Sequence, residues 1–261
     1  TIEKGQNIIL TSNDGKKMDD DWDKIKQPKD YAKEGEKKQR EVIKDARERG
    51  NNAIIAAQDN IEESGTKSKE YTYTFDEGKD IVIKRAQGFK NTLFEVLGKL
   101  TLGEKENSIN FDGNKKNVTS NQGGKGSFFD VQNGGSLVLN NGIIANGKCN
   151  NDYSASIKLH AGSAFTMNGG RITGNANWQD SGLPYTAGAV YIEPGAKFTM
   201  NNGMIDHNKG AAGAVFMGRG GSSSNPLFQS DKDFALFEMQ GGNIVSNEAA
   251  GGFGFAGGIF I

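Results

Sequence analysis

Only a handful of side chains in this sequence carry reactive groups in a recurring pattern. Glu95, Asp130 and Lys158 each occupy the centre of a short apolar triplet, Phe94-Glu-Val96, Phe129-Asp-Val131 and Ile157-Lys-Leu159. Two carboxylates and an amine on adjacent strands of one outer face could do acid–base chemistry on a glycosidic bond, which needs carboxyl groups ~5–9.5 Å apart. The plainer reading, a solvated face with a mild charge pair, is preferred. His160 and His207 fall at unrelated positions, so a shared base or ligand role is not expected. Cys149, the single cysteine, sits in a turn-rich run and reads as an incidental thiol. Asp19-Asp-Asp-Trp-Asp23 offers oxygen ligands but lacks the alternating spacing and glycine of a calcium loop. Gly218-Arg-Gly-Gly221 lacks the Lys-Ser/Thr and the helix of a phosphate-binding loop. One cysteine and two histidines are too few for a Cys/His zinc site. No metal and no cofactor is expected, and the chain reads as non-catalytic.

The elements that would position these groups differ between the two halves of the chain. Residues 1–125 contain 47 charged residues and 12 glycines, whereas residues 126–261 contain 16 and 25. The formal net charge of −1 argues against phosphate-driven nucleic-acid binding. No apolar run approaches the ~18 residues of a membrane helix, so direct membrane insertion is not expected. A chain of 261 residues makes one long domain or two short ones. Residues 1–69 read as an N-terminal cap region. It holds an amphipathic helix at 37–49, flanked by strands at Ile8-Ile9-Leu10 and Ala53-Ile54-Ile55-Ala56, with Trp22 and Ile25 as further cover. The chain starts at Thr1 without a leader-like stretch and reads as a processed or trimmed piece of a longer protein.

Residues 70–261 are dominated by self-similarity. Phe165-Thr-Met-Asn-Gly-Gly-Arg-Ile-Thr-Gly-Asn175, Phe198-Thr-Met-Asn-Asn-Gly-Met-Ile-Asp-His-Asn208 and Phe237-Glu-Met-Gln-Gly-Gly-Asn-Ile-Val-Ser-Asn247 align residue for residue. A second motif recurs as Ala187-Gly-Ala-Val-Tyr-Ile192, Ala212-Gly-Ala-Val-Phe-Met217 and Ala256-Gly-Gly-Ile-Phe-Ile261. Equivalent positions Val96, Val131, Leu159, Ile192, Met217 and Ile261 are 35, 28, 33, 25 and 44 residues apart. Three short strands in a unit this small, separated by glycine turns, predict an all-β, right-handed parallel β-helix of about six coils with three strands each. Phe165, Met167, Ile172, Ile192, Phe198, Met200, Ile205, Met217, Phe237, Met239 and Ile244 are expected inside. Asn168, Asn201 and Gln240 share one corner, and Asn175, Asn208 and Asn247 another; amides carry both donors and an acceptor and can bond from coil to coil. The outward series of the second strand, Thr101, Val138, Thr166, Thr199 and Glu238, is neither an acid cluster nor a regular threonine rank.

At this point the sequence resembles a known class. Phe165-Thr-Met-Asn168 and Phe198-Thr-Met-Asn201 match an FxxN motif, and Ala187-Gly-Ala-Val190 and Ala212-Gly-Ala-Val215 are similar to degenerate GGA[ILV] motifs. These are the paired motifs of the polymorphic outer-membrane protein adhesins, within the wider group of bacterial cell-surface β-helix repeat proteins. The resemblance spans about residues 80–261. Alanine stands for the first glycine, and Gln240 for the asparagine. The resemblance implies extracellular display on a cell surface and adhesion.

Two features suggest contact with a partner. Tyr191, Phe216 and Phe260 are expected as an outward aromatic ladder, and exposed aromatic patches mark interaction surfaces. Two insertions carry Trp178, Leu183 and Tyr185, and Leu227 and Phe228. A contact face of Tyr191, Phe216, Phe260, Trp178, Tyr185, Leu227 and Phe228 competes with a blander arrangement in which an insertion covers the ladder. The expected partner is a host or neighbouring-cell surface protein or glycan, or further β-helix coils at the open C-terminal end. The alternatives are a carbohydrate-active β-helix enzyme using Glu95, Asp130 and Lys158, and an assembly module stacking end to end.

Overall fold

The computed structural model describes residues 1–11, 71–76, 80, 82–86, 89, 91–104, 106–115, 126–149, 155–177, 186–218, 234–250 and 255–261. These residues are all-β and contain no α-helix. Their strands form four parallel sheets. The first contains Phe94–Val96, Phe129–Val131, Ile157–Leu159, Val190–Ile192, Val215–Met217 and Ile259–Phe260. The second contains Asn7–Leu10, Lys99–Leu102, Ser136–Leu139, Ala164–Met167, Lys197–Met200 and Leu236–Met239. The third contains Val82–Lys84, Asn110–Asp112, Ile143–Ala145, Arg171–Thr173, Met204–Asp206 and Asn243–Val245. In each sheet the spatial order follows the chain order, so successive repeat units contribute successive strands, an arrangement compatible with a parallel β-helix.

The register explains why the motifs recur. Phe165 lies opposite Phe198, which lies opposite Phe237; Met167, Met200 and Met239 follow two residues on. Ile144, Ile172, Ile205 and Ile244 form the matching row in the third sheet. Strand spacing of about 4.8 Å stacks like on like. The Phe165 and Phe198 rings lie 4.6 Å apart and nearly parallel, and those of Phe198 and Phe237 lie 4.9 Å apart. Side chains of all three sheets merge into one apolar core, each contributing on the order of 1.5–3 kcal/mol when fully buried.

Two differences from the sequence reading stand out. A fourth sheet exists, made of the two-residue strands Lys148–Cys149, Ala176–Asn177, Lys209–Gly210 and Glu248–Ala249. It follows the corner after the third sheet. There Asn146, Gly174, His207 and Ser246 take left-handed backbone angles and turn the chain. Met239, expected inside, is 46 % exposed, and Phe237 and Ile244 are only partly buried, their strands being paired on one side only among the described residues; Met217 is also only partly buried. The helix expected at 37–49, Trp22, Ile25 and the strand expected at Ala53–Ala56 lie outside the described residues. Strands on both sides of that segment join the same sheets: Asn7–Leu10 pairs with Lys99–Leu102, and Val82–Lys84 with Asn110–Asp112.

Candidate functional site

On the first sheet, Glu95, Asp130, Lys158 and Tyr191 are direct cross-strand neighbours. One residue beyond their triplets the chain adds His160 and Glu193. The backbone ladder sets these one unit apart: His160 N–H donates to the Val131 carbonyl, and Glu193 N–H to that of Leu159. His160 Nε2 lies 2.6 Å from Asp130 Oδ1, and Nδ1 lies 3.1 Å from the Glu193 carboxylate. Lys158 Nζ reaches the same Glu193 carboxylate at 3.3 Å. Glu95 stands apart from this cluster and accepts a hydrogen bond from Thr1 Oγ1 at 3.2 Å.

Burial by itself would lower the His160 pKa, but its hydrogen bonds to Asp130 and Glu193 outweigh this and raise it to about 9. Burial would likewise raise that of Glu193, yet the His160 hydrogen bond and the charges of His160 and Lys158 bring it down to about 2. At neutral pH the cluster is therefore an imidazolium held between two carboxylates, with an ammonium beside one of them. Both ring nitrogens are engaged, so the imidazole offers no lone pair to a substrate, and an ionised Glu193 has no proton to donate. The arrangement ties three consecutive units together. Sequence reasoning brought Asp130 and Lys158 together but missed His160 and Glu193. The signal was their shared place immediately after Leu159 and Ile192.

A second charged cluster lies on the third sheet and the corner that follows it. Arg171 grips Asp206 of the next unit with Nε to Oδ1 at 2.7 Å and Nη2 to Oδ2 at 2.5 Å, the planar fork matching the carboxylate. His207 Nδ1 lies 2.5 Å from Asp206 Oδ2. Burial would raise the Asp206 pKa, but the hydrogen bonds from Arg171 and His207 hold it below the usual carboxylate range. The Tyr71 ring stacks on His207 with centroids 4.1 Å apart, and the Arg171 guanidinium lies 5.2 Å from the centre of the Tyr73 ring. Residues 71–76 are tied to this wall. Tyr73 N–H donates to Asn146 Oδ1 at 2.8 Å, Asn146 Nδ2 donates back to the Tyr73 carbonyl at 2.9 Å, and Lys115 Nζ donates to the carbonyls of Tyr71 and Gly174. Further back, buried Arg85 donates to the carbonyls of Asn91, Gly126 and Ser127, and buried Lys84 faces Asp112 at 3.6 Å.

The aromatic row has a different environment from the one a contact face requires. Tyr191 and Phe216 are each 3 % exposed, stack at 5.5 Å, and pack with Ala155, Ala187 and Ala212 in a small second core. Phe260 continues the row 5.0 Å from Phe216 and is half-buried, with Phe255 stacked on it at 4.4 Å. The recurring Ala-Gly motif lies beside this row. A Cβ on Gly188 would stand 2.2 Å from the Gly213 carbonyl oxygen, and one on Gly213 would stand 2.3 Å from that of Gly257. Only glycine lets these backbones approach, and the neighbouring Ala187 and Ala212 pack in the same cluster as the rings. Trp178, Tyr185, Leu227 and Phe228 lie outside the described residues.

The two amide series also differ. Asn168 Nδ2 donates to Asn140 Oδ1 at 2.9 Å, and Asn201 Nδ2 to Asn168 Oδ1 at 2.7 Å, on the exposed side of the second sheet. Gln240, third in that series, is exposed on the last unit. Asn175 and Asn208 are fully buried. Asn175 Nδ2 donates to Asn208 Oδ1 and Asn208 Nδ2 to Asn247 Oδ1, both at 2.9 Å, while each Nδ2 also reaches a carbonyl of the preceding unit. Among the described residues no group of three or more His, Cys, Asp and Glu side chains is arranged to hold a metal ion, and no helix is long and apolar enough to cross a membrane. Comparison with protein-family models, curated proteins and solved structures finds no match to this chain.

Proposed function

We propose that the four sheets are the walls of one right-handed parallel β-helix, and that the chain is a non-catalytic structural and adhesive segment displayed outside the cell, on a bacterial cell surface. Right-handed winding follows the general preference of parallel crossovers. The observation that carries the reading is where the polar chemistry is spent. The Asp130–His160–Glu193–Lys158 and Arg171–Asp206 clusters link consecutive units, as do the buried amides, so charge and hydrogen bonding serve cohesion along the stack. The FxxN and GGA[ILV]-like motifs support a likeness to surface adhesins. The partner on this reading is a surface protein or glycan of a host or neighbouring cell, met by segments borne on the rigid walls.

The test is to incubate the purified chain with acidic and neutral polysaccharides and with intact cells. Saturable binding with the polymer length unchanged is the expected result. Reproducible depolymerisation, abolished by Asp130→Asn or Glu193→Gln, would overturn the reading in favour of a carbohydrate-active enzyme.

A further inference from the structure

Beside the strap of residues 71–76, three side chains from successive strands of the third sheet meet out of water. Lys84 lies opposite Asp112, and Asp112 opposite Ala145, whose neighbour Asn146 turns the corner with a φ of 56°. Lys84, Asp112 and Asn146 are 1 %, 7 % and 4 % exposed. Phe75 of the strap packs on Val82 and Ala145 of the same wall. In later units this corner position holds Gly174, His207 and Ser246, so Asn146 stands outside the buried ladder of Asn175, Asn208 and Asn247.

The Asp112 carboxylate bridges an amine and a primary amide. Lys84 Nζ lies 3.6 Å from Asp112 Oδ2, and Asn146 Nδ2 donates to Asp112 Oδ1 at 3.2 Å. The Asn114 N–H donates to the same Oδ1 at 2.9 Å and steadies the carboxylate. Tyr73 N–H donates to Asn146 Oδ1 at 2.8 Å, and the Tyr73 carbonyl accepts from Asn146 Nδ2 at 2.9 Å, which sets the orientation of the amide. A nucleophile, an acyl group whose oxygen is held by an N–H, and a proton carrier between them are the parts that acyl transfer needs.

We infer that this is a self-modifying site, at which Lys84 and Asn146 join in an intramolecular amide cross-link. Asp112 takes a proton from the Lys84 ammonium, and the freed Nζ attacks Cγ of Asn146. Negative charge builds on Asn146 Oδ1, which the Tyr73 N–H already holds. Asp112 passes its proton to Nδ2 and takes a second one from Nζ. The Cγ–Nδ2 bond breaks, ammonia leaves, and the Nζ–Cγ amide remains with Asp112 protonated. Nothing is oxidised or reduced, and no co-reactant is consumed. Holding the groups together replaces a bimolecular encounter. The reaction also removes an ion pair from a site where charges out of water are costly. The link would tie the first strand of the third sheet to the third. It goes beyond the adhesive reading and needs only the register of these three strands.

The experiment weighs the full folded chain by mass spectrometry and digests it with trypsin. The chain should be lighter than its sequence by one ammonia. Cleavage after Lys84 should be lost, and one fragment should carry Lys84 joined to Asn146. Chain kept in urea from the moment of cell lysis should show neither feature and acquire both on refolding. Lys84→Arg and Asn146→Ala chains should keep their full mass. Asp112→Ala should form the link roughly a hundredfold more slowly, the weight of one general acid–base group. Circular dichroism checks that each variant folds; if Asp112→Ala does not, the fragment map of the parent chain decides. A folded parent of full mass, or one still cleaved after Lys84, overturns the inference. So does a loss of ammonia that persists in Lys84→Arg, which would mark a cyclic imide at Asn146-Gly147 instead. Linkage at the parent rate in a folded Asp112→Ala chain would overturn the proton-carrier role.

Discussion

Phe198-Thr-Met200 and Phe237-Glu-Met239 are nearly the same tripeptide, at the same place in consecutive units. Phe198 and Met200 have a strand on either side and are fully buried, whereas Phe237 is partly buried and Met239 is 46 % exposed. The same contrast separates Asn208 from Asn247. A repeat motif therefore states which side chains face inward, but a unit's stability comes from its neighbours, as expected where each unit contacts only the next. Interior and terminal copies of one motif should respond differently to the same substitution.

The largest difference is expected in the aromatic row. Phe198→Ala should cost about 3–5 kcal/mol in urea unfolding, the range for a buried phenylalanine, and Phe237→Ala roughly half of that or less. Equal losses would mean that the last unit is as well enclosed as the interior. Next come the corner amides. Asn208→Ala strips the acceptor from the buried Asn175 N–H and Nδ2 and should cost about 2–3 kcal/mol; Asn247→Ala, in the last described unit, should cost about 1 kcal/mol.

The charged clip spans interior units, so its effect should appear as a pH dependence. His160 is raised from 6.5 to about 9, so its stabilisation is complete below pH 6.5 and is lost as pH rises through 9. Glu193 is lowered from 4.5 to about 2, so its stabilisation is complete above pH 4.5 and is lost as pH falls through 2. The advantage of the parent chain over a His160→Gln variant in urea midpoint should peak between pH 4.5 and 6.5 and disappear above pH 9. A flat difference would show that His160 acts by packing alone. The smallest effect is expected between the last two units, where Lys197 and Glu238 pair at 2.9 Å with side chains 47 % and 41 % exposed. Glu238→Gln should change stability by less than about 1 kcal/mol, and added salt should remove even that.

The rows of the first three sheets were legible because Phe-x-Met, Ile and the Val-aromatic-Ile triplet recur with the period-two alternation of a strand. The fourth sheet was not. Lys148-Cys149, Ala176-Asn177, Lys209-Gly210 and Glu248-Ala249 share no side-chain chemistry, and their pairing is a backbone matter set by the corner before them. In the candidate site, alignment placed Glu95, Asp130 and Lys158 on one line, which the register reproduces. It did not reveal that Asp130 and Glu193 would close on His160, because side-chain reach across a turn is not written in strand spacing.

For this protein the order of residues alone determined which side chains lie opposite which, since a parallel ladder of near-identical strips has one register that keeps every apolar residue on the same side. Only the tertiary structure decided how much water each of those side chains sees. Tyr191 and Phe216 occupy outward positions yet are buried beside Ala155, Ala187 and Ala212; Met239 occupies an inward position yet is exposed, its strand being paired on one side only among the described residues. Periodicity records direction, whereas burial depends on what else arrives, and that is a property of the assembled chain.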